Sequence, residues 1–304
     1  LVERTSEEPV TQFEALTAAA FHELARAGVE VAVIEAGLGG RHDATNVIPS
    51  SVHVLTGVGL EHTRWLGSTL AGIAEEKLAV VRDHGCLVTP PGLDPEVEAV
   101  ATRVAAEHSA ERYRAGEDLG LELRARGQFQ RRNFALAVTA AQAFLARAGL
   151  EPLQPAEIAA AARRTEIPGR LQVVDTDPLT LLDGAHNPAG TAALAESLPE
   201  VAGGRPLTAV LSVLDDKDAE AILGTLAPLC ERAVFTRCAN PRALPPEELA
   251  AMWAGPAETV PEPRAALARA RESAGQDGAV LATGSIYLIA DLVRDPGVAK
   301  ASTL

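Results

Sequence analysis

Short valine- and leucine-rich runs, each closed by glycine or proline and separated by stretches of helical spacing, constrain this chain most. VEVAVIEAGLGG, SVHVLTGVGL and CLVTP have this form, as do LTLLDGAHNP, PLTAVLSVLDDKD, RAVFTR and GAVLATGSIYL further on. A short apolar run without polar alternation is the pattern of a strand buried on both faces, as in a parallel sheet. Between the runs, QFEALTAAAFHELARAG and TLAGIAEEKLAVV carry apolar residues at helical spacing. A helix and then an irregular stretch are predicted from Asp94 to Gly120, then a strand over LELRAR and a long helix through GQFQRRNFALAVTAAQAFLARAG. Strand alternating with helix predicts an α/β fold with mainly parallel sheets. The Pro168–Gly169 break after PAEIAAAARRTEI places a domain boundary, giving domains over residues 1–167 and 168–304.

At 304 residues the chain can bury two separate cores. A net charge of −14 argues against nucleic acid as a partner, which calls for a basic surface. No apolar run reaches membrane-span length, and LVERTSEEPV does not read as a signal segment. Cys86, Cys230 and Cys238 form no CxxC, so the cysteines suggest a reducing cytoplasm. Lysine occurs only at Lys77, Lys217 and Lys300, although lysine and arginine together number 27. In a chain that uses arginine elsewhere, a retained lysine points to chemistry that guanidinium cannot supply.

Ligands of parallel α/β sheets bind beyond the carboxyl ends of strands, so the loops there hold the candidates. Glu35 ends VEVAVIE, His62 follows the next strand in GLEHT, and Lys77 lies on the helix after it. Singly, each is an ordinary solvated side chain. Together, at neighbouring strand ends of one sheet, a carboxylate and an imidazole can ligate a divalent cation. AGLGG lacks the GxGxxG spacing and the following helix of a dinucleotide site. In the second half, Asp183 and His186 stand at a strand end in LLDGAHNP, where Asn187 and Pro188 suit a helix cap and first turn.

GLGGRHDATN, GLEHTRWLG, IAEEK, GQFQRRN, IPGR, LLDGAHNP, LDDKD and TGSIYL follow one another in this order along most of the chain. That succession resembles the folylpolyglutamate and dihydrofolate synthases, a branch of the Mur ligase superfamily. The resemblance implies two consecutive Rossmann-like domains: an ATP-binding central domain and a C-terminal glutamate-ligase domain. It implies an ATP-dependent ligase that adds L-glutamate to a folate or to dihydropteroate through an acyl phosphate. The implied cofactors are ATP and Mg2+, with small-molecule partners, no nucleic acid, no membrane and a monomeric state.

By the same resemblance, Glu35 and His62 are metal ligands and Lys77 carries a metal-binding carbamate. Gln130 and Asn133 hold the adenine side of ATP, and Arg170 reaches its phosphates. Asp183, His186 and Asn187 bind ATP, with His186, Arg170 and Lys77 in catalytic roles, while Lys217 and Ser285 lie near the glutamate pocket. Glu61 stands where the family usually has Asp, and His42 where it has an apolar residue. GxxxxGK[ST] occurs nowhere in the sequence. In the family a phosphate loop of that kind precedes the helix at Gln12, so we expect a fragment that begins at Leu1, with poor stability and little ligase activity alone. The alternatives are an inactive homologue that binds nucleotide, folate or a partner protein, and a cell-wall Mur ligase, against which GLGGRHDATN speaks.

Overall fold

The computed structural model describes residues 10–295; Lys300 lies outside them. The chain divides into two compact units. One takes the chain up to Glu117 together with Ala135–Leu153; the other takes Asp118–Phe134 and the chain from Gln154 onward. The units therefore interleave in sequence, and a single cut between residues 167 and 168 is kept only as a proposal about domain organisation.

The first unit opens with α1 (Gln12–Ala27). A capping box starts it, with the Glu14 N–H donating to Thr11 Oγ1 at 3.2 Å and the Thr11 N–H to Glu14 Oε2 at 2.8 Å. Gly28, in the left-handed conformation, ends it. A parallel sheet of order β1-β2-β3 follows, built from β1 (Val52–Val54), β2 (Cys86–Thr89) and β3 (Glu111–Arg114). All of β2 is buried. Leu87 packs into a core with α3 (Leu70–Leu78) and α4 (Pro95–Glu107), while Cys86 and Val88 pack into another with α5 (Gln128–Arg147). The alternation of strand side chains thus feeds two cores.

Two strands suggested by the sequence are absent. VEVAVIE is extended but joins no ladder, and Val31 and Val33 are 54% and 96% exposed. No strand among the described residues lies alongside to pair it. LELRAR is irregular, and the third strand is instead ERYR. That strand carries no apolar period to read, because Arg112 and Arg114 reach Glu98 on α4 at 2.7 and 2.6 Å.

After Asp118–Phe134, the second unit continues with α6 (Pro155–Arg164) and holds a six-stranded sheet. Its strands are β4 (Gln172–Thr176), β5 (Leu179–Leu182), β6 (Leu207–Leu211), β7 (Arg232–Phe235), β8 (Ala257–Thr259) and β9 (Ala279–Thr283). The order is β4-β5-β9-β6-β7-β8, parallel except for the β4–β5 pair. Residues of α7 (Pro188–Ala202), α8 (Ala219–Leu226) and α9 (Pro246–Ala251) share one core with the sheet; α10 (Pro263–Ala274) and α11 (Ile286–Val293) share the other. Leu181, Leu211, Phe235 and Leu281 are fully buried in the first core, each such side chain contributing roughly 1.5–3 kcal/mol.

The chain leaves β5 into α7 on one face and β9 into α11 on the other, although β5 and β9 are neighbours. Loops that part to opposite faces open a crevice beyond the strand ends, the place where such sheets bind ligands. DGAHNP follows β5, SVLDDKD follows β6 and GSIYL follows β9, so three of the singled-out motifs border that crevice.

Candidate functional site

In the first unit, the loop after Glu35 is organised by Asp43. Its Oδ2 accepts from the Leu38 N–H at 2.8 Å, and its Oδ1 accepts from the N–H and hydroxyl of Thr45 at 2.9 and 2.6 Å. Burial works to raise the Asp43 pKa, but the hydrogen bonds from Thr45, Leu38 and Gly37 outweigh it and hold the carboxyl below the ordinary Asp range. The loop lies directly on α3. A Cβ on Gly40 would stand 2.7 Å from the carbonyl oxygen of Glu76 and 2.8 Å from that of Lys77. A Cβ on Gly39 would stand 2.9 Å from Leu66, in the four-residue helix α2 (Thr63–Leu66) that His62 precedes.

The segments carrying Glu35, His62 and Lys77 are therefore packed together, although no hydrogen bond or ion pair joins the three side chains. Glu35 and His62 are exposed, and His62 has a left-handed backbone with φ of 51°. Lys77 is half-buried in the last turn of α3. Its neighbours Glu75 and Glu76 are paired with Arg103 at 2.7 Å and Arg41 at 3.0 Å, whereas Lys77 has no ion pair. Two arginines clamp the loop: Arg41 through Glu76, and Arg82 through the carbonyl and Oδ1 of Asn46 at 2.8 and 2.7 Å. Among the described residues no three His, Cys, Asp or Glu side chains cluster as a metal site. A carboxylate and an imidazole such as those of Glu35 and His62 are donor types suited to a divalent cation, whereas an amine such as that of Lys77 offers an oxygen donor only when converted to a carbamate.

In the second unit, Asp183 is the centre of a local lattice. It is 3% exposed. The Leu171 N–H donates to its Oδ2 at 2.9 Å and the Ala185 N–H to its Oδ1 at 2.8 Å. Burial pushes the carboxyl upward, against those two donors and the nearby charges of Arg170 and His186. The Gly184 N–H donates to the Gly169 carbonyl at 2.8 Å, tying IPGR to DGAHNP a second time. A Cβ on Gly184 would sit 3.3 Å from Arg170 Nη1, so the exposed guanidinium lies along this loop. Leu171 takes a positive φ of 42°, a strained conformation for a branched side chain, held by these contacts.

His186 Nδ1 lies 2.8 Å from the Gly184 carbonyl. A carbonyl only accepts, so Nδ1 carries the hydrogen and Nε2 is left for other partners. Asn187 caps α7, accepting from the Gly190 N–H at 2.6 Å, with Pro188 at the first helical position. The first turn of α5 belongs to this unit. There the Gln128 N–H donates to Ser197 Oγ on α7 at 3.0 Å, and Arg132 pairs with Glu196 at 2.6 Å. Gln130 is buried, and the exposed Asn133 offers it a long contact of 3.5 Å. A Cβ on Gly127 would meet Leu171 Cδ1 at 2.7 Å. GQFQRRN, IPGR and DGAHNP thus form one contiguous group through Gly127, Leu171 and Asp183.

Lys217 and Ser285 stand on the other side of the crevice. Lys217 pairs with Asp216 at 3.2 Å. Ser285 is buried and caps α11, accepting from the Tyr287 N–H at 3.1 Å. Its Oγ lies 3.8 Å from Cys238 Sγ, and the Cys238 N–H donates to Ser212 Oγ at 3.1 Å. The sequence reading missed Leu171, Arg82, Ser212 and the Asn240–Arg242 turn. Only the Asn240–Pro241 pair carried a turn signal that could have drawn notice.

Residues 169–286 match the family described as Mur ligase, glutamate ligase domain. The chain is 36% identical over 276 residues to the dihydrofolate synthase/folylpolyglutamate synthase of Mycobacterium tuberculosis, covering 79% of this chain and 55% of that one. It is 31% identical to the folylpolyglutamate synthase of Lacticaseibacillus casei, covering 92% of this chain and 70% of the relative. Among solved structures, M. tuberculosis folylpolyglutamate synthase complexed with ADP and AMPPCP superposes with a TM-score of 0.86 at 31% identity, covering 97% of this chain and 76% of that one. The chain therefore spans about half the length of the first of these relatives.

Proposed function

Since the chain belongs to the folylpolyglutamate and dihydrofolate synthase family of the Mur ligase superfamily, we propose that it serves ATP-dependent addition of L-glutamate to folates, to dihydropteroate, or to both. The observation that carries this reading is the joining of GQFQRRN, IPGR and DGAHNP through Gly127, Leu171 and Asp183 at the sheet crevice. In the reaction, a carboxylate oxygen of the folate substrate attacks the terminal phosphorus of ATP and ADP leaves. The glutamate amine then attacks the acyl phosphate carbon, an amide forms, and phosphate leaves with the former carboxylate oxygen.

Both steps bring anions together, so cations and fixed donors must offset charge. Arg170 supplies the guanidinium beside the phosphates, and His186 offers Nε2 to the same region. Asn187 and the first N–H groups of α7 add donors suited to an anion. Gln130 and Asn133 hold the adenine side. Asp183 has both oxygens taken by backbone N–H groups, which suits positioning of Arg170 and His186 alongside its ATP role. Glu35, His62 and a carbamate on Lys77 would hold Mg2+, which when bound neutralises phosphate charge. The free Lys77 amine, beside two paired glutamates, supports that assignment. Lys217 and Ser285 serve the glutamate pocket.

We place the protein in the cytoplasm as a monomer with small-molecule partners; among the described residues no helix is long and apolar enough to cross a membrane. The second reading is a module that binds nucleotide or folate without turnover. Folate substrate labelled with heavy oxygen in its carboxylate separates them. Label appearing in released phosphate supports the acyl-phosphate ligase, and nucleotide binding without labelled phosphate supports the module.

A further inference from the structure

Near the amino end of β2, a buried histidine stands behind the turn that clamps the loop after Glu35, and none of the roles above uses it. His53 on β1 is 4% exposed. Its Nδ1 lies 3.3 Å from the Cys86 carbonyl, so Nδ1 carries the hydrogen. Nε2 is buried and finds no hydrogen-bond partner among the described residues. A proton added there would make a buried cation with no acceptor, which is costly. The ring lies against the turn 82–85: a Cβ on Gly85 would stand 3.2 Å from His53 Cε1 and 2.8 Å from the Arg82 carbonyl oxygen. Arg82 opens that turn and gives its guanidinium to Asn46. Backbone bonds fasten the turn, from the His84 N–H to the His108 carbonyl at 2.8 Å and from the Glu111 N–H to the Gly85 carbonyl at 2.9 Å.

We infer that His53 is a proton sensor for the GLGGRHDATN loop: a proton on its ring drives the turn 82–85 outward and withdraws Arg82 from Asn46. The charged and titratable groups acting on the ring are Arg82 in the turn, Arg147 on α5 and His108 at the end of α4, while β2 presents the Cys86 carbonyl. No carboxylate is among them to offset a proton, and Asp83 is paired with His108 at 2.6 Å. Burial foremost, then the charges of Arg82, Arg147 and His108, hold the ring below the ordinary histidine range, against the pull of the Cys86 carbonyl. With the turn closed the imidazole therefore stays neutral; with the turn open and the ring hydrated, it titrates near the ordinary value of about 6.5. Each pH unit below about 6.5 favours the open turn up to about tenfold, until the closed form itself takes the proton. Gly40 and Arg41 still hold the loop to α3, so opening frees its Asn46 end alone.

The test is amide hydrogen exchange of residues 44–48, corrected for the intrinsic effect of pH, in the protein from its own cells at about pH 7.5 and about pH 5.5. Wild type should lose protection there by about tenfold at the lower pH. In His53→Asn the side-chain NH2 takes the place of Nδ1, keeps the Cys86 carbonyl paired and cannot titrate, so protection should hold at both pH values. Arg82→Ala should show the lower protection at both. Asp43, whose carboxyl is held below the ordinary Asp range, stays ionised throughout and adds nothing to the difference. Constant protection in wild type, or equal loss in wild type and His53→Asn, would overturn the sensor. Loss confined to residues 82–85 would overturn transmission through Arg82. Should His53→Asn fail to fold, the ring is titrated by NMR in wild type. A ring that titrates below about 6.5 together with the amides of residues 44–48 supports the sensor, and one that titrates at or above that value overturns it. Resting on the ligase reading, glutamate addition should decline in acid more steeply in wild type than in His53→Asn. Exchange that responds as stated, with no glutamate added at any pH, counts against the ligase reading and leaves the sensor standing.

Discussion

The backbone N–H of Leu171 donates to Asp183 Oδ2 at 2.9 Å, across 12 residues of chain and from a residue with positive φ. This bond sets the IPGR loop against the end of β5, so Arg170 and His186 are positioned by one buried carboxylate. Asp183→Asn would keep one acceptor and turn an NH2 toward the other backbone donor, leaving that N–H unpaired. Denaturant unfolding should show a loss of about 1–3 kcal/mol. An unchanged midpoint would mean that Asp183 is not the strut described.

Asp43 plays the corresponding part in the first unit, and its depressed pKa makes a pH prediction. A carboxyl whose folded pKa lies below its unfolded value adds stability above the unfolded value, about 3.9 for Asp, and loses it as pH falls through the folded value. Asp43→Asn lacks that contribution. The gap in unfolding free energy between wild type and Asp43→Asn should therefore be full near neutral pH and shrink as pH falls below about 4. A gap that stays constant on acidification would contradict the hydrogen-bonded anion.

Gly40 faces backbone where any side chain would collide. Gly40→Ala would press a methyl against the carbonyl oxygens of Glu76 and Lys77, at 2.7 and 2.8 Å. Neither can move without shifting the end of α3. A cost of about 1–3 kcal/mol is expected from thermal or denaturant unfolding, with faster amide exchange in residues 37–46. Unaltered exchange in that loop would show that it does not depend on the contact.

Lys77 is assigned a carbamate, and that is testable without a structure. Lys77→Ala should sharply reduce ATP-dependent glutamate addition in the protein from its own cells, with partial rescue by added short-chain carboxylates. Activity equal to wild type in the mutant would remove the carbamate from the account.

Much of the second unit was legible in the sequence. LTLL, LTAVL, RAVF and AVLAT are short apolar runs that bury both faces, and each became a strand. What escaped was structure without an apolar period. ERYR is an edge strand held by salt bridges, and AET is a three-residue edge. VEVAVIE misled for the opposite reason: its valines have strand propensity, but pairing needs a neighbour, and none is present among the described residues. In the site, residue types marked Asp183, His186 and Asn187 as worth attention. The engagement of both Asp183 oxygens was not readable, because one donor is the backbone of Leu171. The Asn240–Arg242 turn was hidden likewise, since its partner Asp216 lies on another loop.

The most direct test of the central claim is incorporation of labelled L-glutamate into tetrahydrofolate and dihydropteroate by the protein from its own cells, with and without ATP. The account predicts a glutamylated pterin product that requires ATP and Mg2+ and forms with one ADP and one phosphate for each glutamate added. Tight nucleotide binding with no glutamylated product from either substrate would contradict it and leave a binding module on a ligase fold.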